Sequence, residues 1–224
     1  MATIQLYHYV HCPFCVRVRM ALGHLKVPYE SIVLAYDEEE IPLEMCQKKM
    51  LPILKWEDGS AQNESLEIIE KLDKKNLLQM ELLKDEKKVK EVEDLLDRFA
   101  SPIHNLCMPY WIWTPEFDES SRTYFRNKKE KKRGPLKDLI QRKSEFFKEL
   151  EPIINDLLAE LDPYYKSPYL TIFDIMIASH LWGMYIFPEY QFKKGVHAYL
   201  QDIKNQCAFD YHRDYFSESN VVNP

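Results

Sequence analysis

The chain has 224 residues, with 30 basic and 36 acidic side chains and a formal net charge of −6. That length holds one large domain or two small ones with ample core, and the acidic balance argues against a general nucleic-acid binder, which needs a basic surface. Five cysteines, odd in number and widely spread, fit reduced thiols and not a disulfide framework. The opening residues, Met1-Ala2-Thr3-Ile4-Gln5, lack the basic and apolar regions of a signal peptide. No uncharged apolar stretch approaches the ~20 residues needed to span a bilayer. A soluble, cytoplasmic protein with no membrane partner is expected.

In chain order, a short β-like run, Ile4-Gln5-Leu6-Tyr7-His8-Tyr9, gives way to a helix at Cys12-Pro13-Phe14-Cys15. Phe14, Val18, Ala21, Leu22 and Leu25 then fall at steps of three or four and share one face. Cys12 therefore stands at a helix N-terminus, where unpaired N–H groups and the helix dipole favour negative charge. Such a position lowers a cysteine pKa from ~8.5 to roughly 3.5–7.5, and the thiolate is the form that attacks sulfur. Pro13 suits the first helical turn because it has no N–H to leave unpaired. Cys15, one turn on, is within disulfide reach of Cys12. A zinc site would want four ligands, and no second Cys/His pair follows the motif, with only Cys46 and His11 to recruit. The motif favours redox chemistry without a metal.

Lys26-Val27-Pro28-Tyr29 makes a turn, and Ser31-Ile32-Val33-Leu34 suits a buried strand. Asp37-Glu38-Glu39-Glu40-Ile41-Pro42 opens a second helix, its acids placed at the positive end or simply solvated. Leu51 to Trp56 and Ser60-Ala61-Gln62 flank Asp58-Gly59, a strong hairpin turn. Asn63-Glu64-Ser65 leads into a third helix, Leu66 to Leu72. The predicted order is β-α-β-α-β-β-α, one compact α/β layer with helices on both faces.

From about Asn76 strand signals give way to long helical periods. Lys74 to Lys90 reads as a charged crossing between domains. Val89, Val92, Leu96, Phe99 and Ile103 form one apolar stripe. Leu139, Phe146, Leu150, Ile154, Leu157 and Leu161 form another, with Pro152 kinking it or starting a new helix. Such stripes are core faces of amphipathic helices. The basic run Arg126 to Arg133, closed by Gly134-Pro135, reads as a solvated helix end. Thr171-Ile172-Phe173-Asp174 has the capping-box pattern with Asp in place of Glu, and Leu170 with Ile175 can form a hydrophobic staple. The predicted domains are 1–75 (α/β), 76–88 (linker) and 89–216 (all-helical), with a flexible tail over 217–224.

A Cys-Pro-aromatic-Cys near the N-terminus, Leu-Pro before a strand and Glu-Ser opening a helix resemble glutathione-binding thioredoxin folds. A helical second half with a Thr-x-x-Asp box is similar to that of glutathione S-transferases. Together with His11-Cys12-Pro13-Phe14-Cys15, Arg19-Met20, Gln47 to Leu54 and Tyr124 to Glu130, they resemble the bacterial glutaredoxin 2 family over residues 4 to about 205. Leu51 stands where valine is usual and Phe14 where tyrosine is usual. Cys46, Cys107 and Cys207 fall outside the family motif and read as small buried apolar groups.

The resemblance implies a thioredoxin-fold N-terminal domain, an all-α C-terminal domain and an enzyme, a glutathione-dependent thiol–disulfide oxidoreductase. It implies a cis peptide before Pro52, with the Leu51 backbone pairing with the cysteinyl part of glutathione. Glu64 would meet the γ-glutamyl ammonium, Ser65 and the helix start the γ-glutamyl carboxylate, and Lys49 the glycyl carboxylate. Read alone, Glu64-Ser65 is an ordinary helix cap and Lys49 a surface lysine. Cys12 would take the glutathionyl group from a substrate and pass it to a second glutathione, with Cys15 resolving mixed disulfides of protein substrates. His11 and Arg17 would add positive charge nearby. Glutathione is the co-substrate, glutathionylated or disulfide-containing proteins are the partners, and a monomer is expected. An omega-like glutathione transferase or dehydroascorbate reductase has no need of Cys15. A non-catalytic regulator resembling stringent starvation protein A has no need of either cysteine. A chloride-channel-like protein, which shares the Cys-Pro-Phe start, needs an apolar membrane segment.

Overall fold

The computed structural model describes residues 3–210 and the backbone of 221–222. Packing divides the chain into two units: the described residues of 1–74, 112–128 and 206–224 form the first, and 75–111 with 129–205 the second.

The first unit is built on a five-stranded sheet in the order β4-β3-β1-β2-β5, from β1 (Gln5–His8), β2 (Tyr29–Val33), β3 (Ile53–Lys55), β4 (Ala61–Gln62) and β5 (Val221–Val222). β1 and β2 are parallel, and the other neighbours are antiparallel. Between these strands run α1 (Pro13–His24) and α2 (Glu40–Cys46), and α3 (Ser65–Leu72) follows. The predicted β-α-β-α-β-β-α order is therefore the observed one, with β5 added at the edge. Of the tail expected over 217–224, residues 217–220 and 223–224 lie outside the described residues, and Val221–Val222 pair with Tyr29 and Glu30. The hairpin turns where Asp58-Gly59 predicts, with Gly59 at φ +86° and its N–H donating to the Trp56 carbonyl at 3.0 Å. Gly23 is needed for a close approach, since a Cβ there would lie 1.7 Å from the Cys207 carbonyl oxygen.

α2 starts later than its acids suggest. Glu38 accepts from the N–H groups of Glu40 (2.7 Å) and Ile41 (3.1 Å), satisfying two donors that a helix start leaves unpaired. Asp37 binds the hydroxyls of Ser120 and Ser121 instead of capping the helix.

The second unit is helical: α4 (Glu86–Trp111), the end of α5 (Glu119–Arg133), α6 (Leu136–Gln141), α7 (Lys143–Ala159), α8 (Ile172–Leu181) and most of α9 (Lys194–Gln206). Val92, Leu96, Phe99 and Ile103 of the first stripe are buried on α4, and Leu139, Phe146, Leu150, Ile154 and Leu157 of the second on α6 and α7. Pro152 lies inside α7, so it starts no new helix. The basic run ends α5, with Lys131, Lys132 and Arg133 in its last turn, the negative pole of the dipole.

α8 begins at the predicted box. Asp174 Oδ2 accepts from the Thr171 N–H (2.8 Å) and hydroxyl (2.9 Å), and Oδ1 from the Tyr165 N–H (2.8 Å) and Tyr199 hydroxyl (3.0 Å). Leu170 and Ile175 are both buried.

Two boundaries differ from expectation. The 76–88 segment is no free crossing: Leu78 and Met80 are buried, and the Leu78 carbonyl accepts from the Ile172 N–H at 2.8 Å within the second unit. Residues 112–128, expected in a continuous helical domain, pack with the sheet unit. Thr114, Glu116, Phe117 and Phe125 are buried there, and Glu116, Phe117 and Phe125 find partners on His11 and Tyr36.

Candidate functional site

Cys12 is the N-cap residue of α1, with extended backbone (φ −70°, ψ 121°) and Pro13 following in the first turn. Its carbonyl accepts the first helical bond from Val16 N–H at 2.9 Å. No side chain caps this end by a hydrogen bond, so the helix start keeps its positive character for the cysteine sulfur. Cys12 is partly exposed and Cys15 is buried, and both are free thiols.

The two sulfurs have opposite environments. The Cys15 thiol donating to it lowers Cys12 most; burial opposes this, and the His11 charge with the N–H groups of Cys15 and Phe14 brings the thiol down to about 7. Burial and the neighbouring Cys12 push Cys15 well above an ordinary thiol, against the Tyr9 N–H, which donates to its sulfur at 3.5 Å. At neutral pH Cys12 is poised between thiol and thiolate while Cys15 stays protonated.

Leu51 joins this pair directly. The Leu51–Pro52 peptide is cis, as the resemblance implies. Leu51 packs in one buried cluster with Cys15, Leu34 and Ile53, and Cys12 and Cys46 lie against it.

Ser65 is tied in through Arg17, a buried guanidinium on α1. Arg17 Nη1 donates to Ser65 Oγ at 3.3 Å, its Cζ lies 5.0 Å from the Phe14 ring centroid, and its Nε has no hydrogen-bond partner. Burial lowers Arg17 to about 10, and the Cys12 charge opposes that. Because Arg17 occupies a lone pair of the Ser65 oxygen, the hydroxyl hydrogen is left to donate. Ser65 is the first residue of α3, beside the N–H groups of that helix start.

Glu64 is exposed at the N-cap of α3 and makes no capping bond with its side chain. It is not the ordinary cap that the sequence alone suggests. Lys49 is engaged elsewhere: Nζ pairs with Glu39 Oε1 at 2.9 Å and lies 4.2 Å from the Tyr124 ring centroid. Glu39 is held below the usual carboxylate range by Lys49 and by the Tyr124 hydroxyl.

Glu116 joins the site from the segment between α4 and α5. It is 1% exposed, Oε1 accepts from His11 N–H at 3.2 Å, and the same oxygen pairs with His11 Nδ1. Burial would raise its carboxyl, yet the His11 charge and hydrogen bond hold it below the ordinary value. A single glutamate 105 positions from its partner leaves no sequence signal. Among the described residues no group of three His, Cys, Asp or Glu is arranged to hold a metal ion, and no helix is long and apolar enough to cross a membrane.

Residues 6–77 match the glutathione S-transferase N-terminal domain family, and residues 91–212 match the family described as glutaredoxin 2, C terminal domain. The chain belongs to the glutaredoxin 2 family. Glutaredoxin 2 of Escherichia coli K12 is 33% identical over 172 residues, covering 74% of this chain and 75% of that protein. Glutaredoxin 2 of Salmonella typhimurium, solved in complex with glutathione, superposes with a TM-score of 0.83 at 26% identity, covering 94% of this chain and 97% of the other. An omega glutathione transferase from Trametes versicolor shares the fold at a TM-score of 0.57 and 18% identity, covering 93% of this chain and 90% of that one. The glutaredoxin 2 frame is the better structural match of the two.

Proposed function

We propose that this protein is a glutathione-dependent thiol–disulfide oxidoreductase whose nucleophile is Cys12 and whose resolving thiol is Cys15. The observation that carries the reading is the pair of opposite sulfur environments at the start of α1, Cys12 lowered to about 7 and Cys15 raised. The glutathione-bound Salmonella relative supports glutathione as co-substrate. The Cys12 thiolate attacks the glutathionyl sulfur of a mixed disulfide, and the substrate leaves as its thiolate and takes up a proton. A glutathione thiolate then attacks the Cys12-bound glutathionyl sulfur, releasing glutathione disulfide and restoring Cys12. With a protein disulfide, Cys12 forms a mixed disulfide with one substrate sulfur. The Cys15 thiol loses its proton as its sulfur attacks Cys12, closing Cys12–Cys15 and freeing the substrate as a dithiol.

Leu51 offers its backbone to the cysteinyl unit. Ser65, oriented as a donor by Arg17, receives the γ-glutamyl carboxylate with the α3 N–H groups, and Glu64, exposed beside it, meets the ammonium. Lys49 reaches the glycyl carboxylate by exchanging Glu39 for the ligand. The protein works as a monomer in a reducing, cytoplasmic setting on glutathionylated and disulfide-bonded proteins, in keeping with its five free cysteines.

Peptide mass spectrometry after glutathione disulfide treatment tests the reading. A glutathionyl adduct on Cys12, accumulating in Cys15→Ser and passing to an internal disulfide in the parent protein, is expected. An adduct confined to Cys46, Cys107 or Cys207 would overturn it.

A further inference from the structure

The segment between α4 and α5 carries Glu116 into the first unit, beside the residue that precedes the nucleophile. Glu116 Oε1 meets both the main-chain N–H and Nδ1 of His11, and its own carbonyl accepts from Tyr36 N–H at 2.9 Å. The His11 ring is 8% exposed and walled by aromatics: Tyr9 stacks at 6.1 Å between centroids, Phe117 and Tyr36 lie tilted at 5.3 Å and 6.0 Å, and Phe125 meets it edge-on at 6.4 Å. A carboxylate hydrogen-bonded to Nδ1 fixes the plane of the imidazole ring. The carboxylate itself would be costly to bury without a cationic partner. Each member of the pair accounts for the other.

We propose that Glu116 is a positioning residue for the sulfur exchange, holding the His11 ring and main chain in one place next to Cys12 so that the His11 charge acts on the sulfur. The proposal rests on Cys12 being the nucleophile, and adds the source of its activation outside α1. Titratable groups facing His11 include the Glu116 carboxylate, the Tyr9 and Tyr36 phenols and the Cys12 thiol. Burial pushes both phenols up, Tyr36 to about 12, so neither carries charge at neutral pH. Burial likewise keeps Cys15 protonated. A purely structural role would have Glu116 only anchoring the 112–118 loop, with no bearing on the thiol.

Glu116→Gln keeps the shape and a hydrogen-bond acceptor while removing the charge. In the reduced, full-length protein, Cys12 carboxamidomethylation read by peptide mass spectrometry should slow about tenfold at pH 6, the effect of losing one adjacent opposite charge. The rate at pH 10, where the thiolate is complete in both proteins, should be unchanged. His11→Gln should give the same displacement, and adding Glu116→Gln to it should change nothing further. Glu116→Asp should recover part of the wild-type profile. Should Glu116→Gln fail to fold, the His11 ring nitrogens of the unaltered protein, assigned with His11→Gln and read by 15N NMR, decide the matter. An Nδ1 proton in the downfield position of a hydrogen bond to a carboxylate supports the proposal, and an Nδ1 that carries no such proton overturns it. An unmoved pH profile in folded Glu116→Gln, or additive effects in the double variant, also overturns it. Failure of the wider reading looks different: Cys12 would then take no glutathionyl adduct in the unaltered protein.

Discussion

Two helix starts in this molecule solve one physical problem in opposite ways. At α8 the unpaired N–H groups and the entering chain are closed by side-chain chemistry, with Asp174 taking four donors while Thr171 supplies two of them. At α1 no side chain closes the end by a hydrogen bond, and the cap residue is a partly exposed sulfur. Burial raises the Asp174 carboxyl to about 6, so at neutral pH it is mostly ionised and held by its donors. Cys12 moves the other way, toward the anion, and its surroundings leave it one face in solvent. A satisfied helix terminus stabilises the fold, and an unsatisfied one is available for chemistry.

The sharpest way to separate the two is to remove each cap residue. Cys12→Ser should abolish glutathionyl transfer altogether, with a thermal midpoint close to that of the parent, because the serine hydroxyl can take the N-cap position. A variant that retains transfer would mean another sulfur does the work. Asp174→Ala should do the reverse. It strands buried donors at about 1–3 kcal/mol each, so a loss of about 3 kcal/mol or more is expected, with Tm lower by roughly 6–12 °C. The Cys12 alkylation rate in the folded fraction should stay near normal. An unchanged Tm would show that the α8 start is not a stability element.

Cys15→Ser is the next largest effect and concerns only the α1 start. Turnover of glutathionylated small disulfides should persist, since free glutathione replaces the resolving thiol, while reduction of protein disulfides should be lost. Equal loss of both would assign Cys15 a structural part. The smallest effect is expected at the third helix start, α3. Ser65→Ala and Glu64→Ala should weaken glutathione dependence by ~1.5–3 kcal/mol, about ten- to a hundred-fold, the range for hydrogen bonds to charged groups. Cys12 alkylation should hold its pH midpoint in both. A moved midpoint in Ser65→Ala alone would show that the Arg17 bridge carries the thiol as well as the ligand site.

How much of this was readable beforehand follows from range. The α1 start, the Asp58-Gly59 turn and the Thr171–Asp174 box are local signals, in which the residues that decide the structure lie within four positions of one another. The stripes on α4 and α7 are local in the same sense. Lys49 was ambiguous because a surface lysine has many acids within reach, and only packing selects Glu39, ten positions away. Glu116 was invisible for a stronger reason. Its partner lies 105 positions away, and a glutamate in a loop reads as solvated until the fold buries it. The return of residues 112–128 to the sheet unit is that kind of fact, set by long-range aromatic contacts among Tyr36, Phe117 and Phe125. The Arg17–Ser65 bridge likewise needed α1 and α3 side by side before either residue had a partner.

The most direct test of the central claim is the pH profile of Cys12 alkylation by iodoacetamide in the reduced protein, followed peptide by peptide so that the five cysteines are distinguished. A thiol lowered to about 7 should react at half its limiting rate near neutral pH, with a rate that rises between pH 6 and 8 and is flat above. Cys15 should stay unreactive throughout that range. A Cys12 rate still climbing steeply at pH 9, as for an ordinary thiol, would contradict the account.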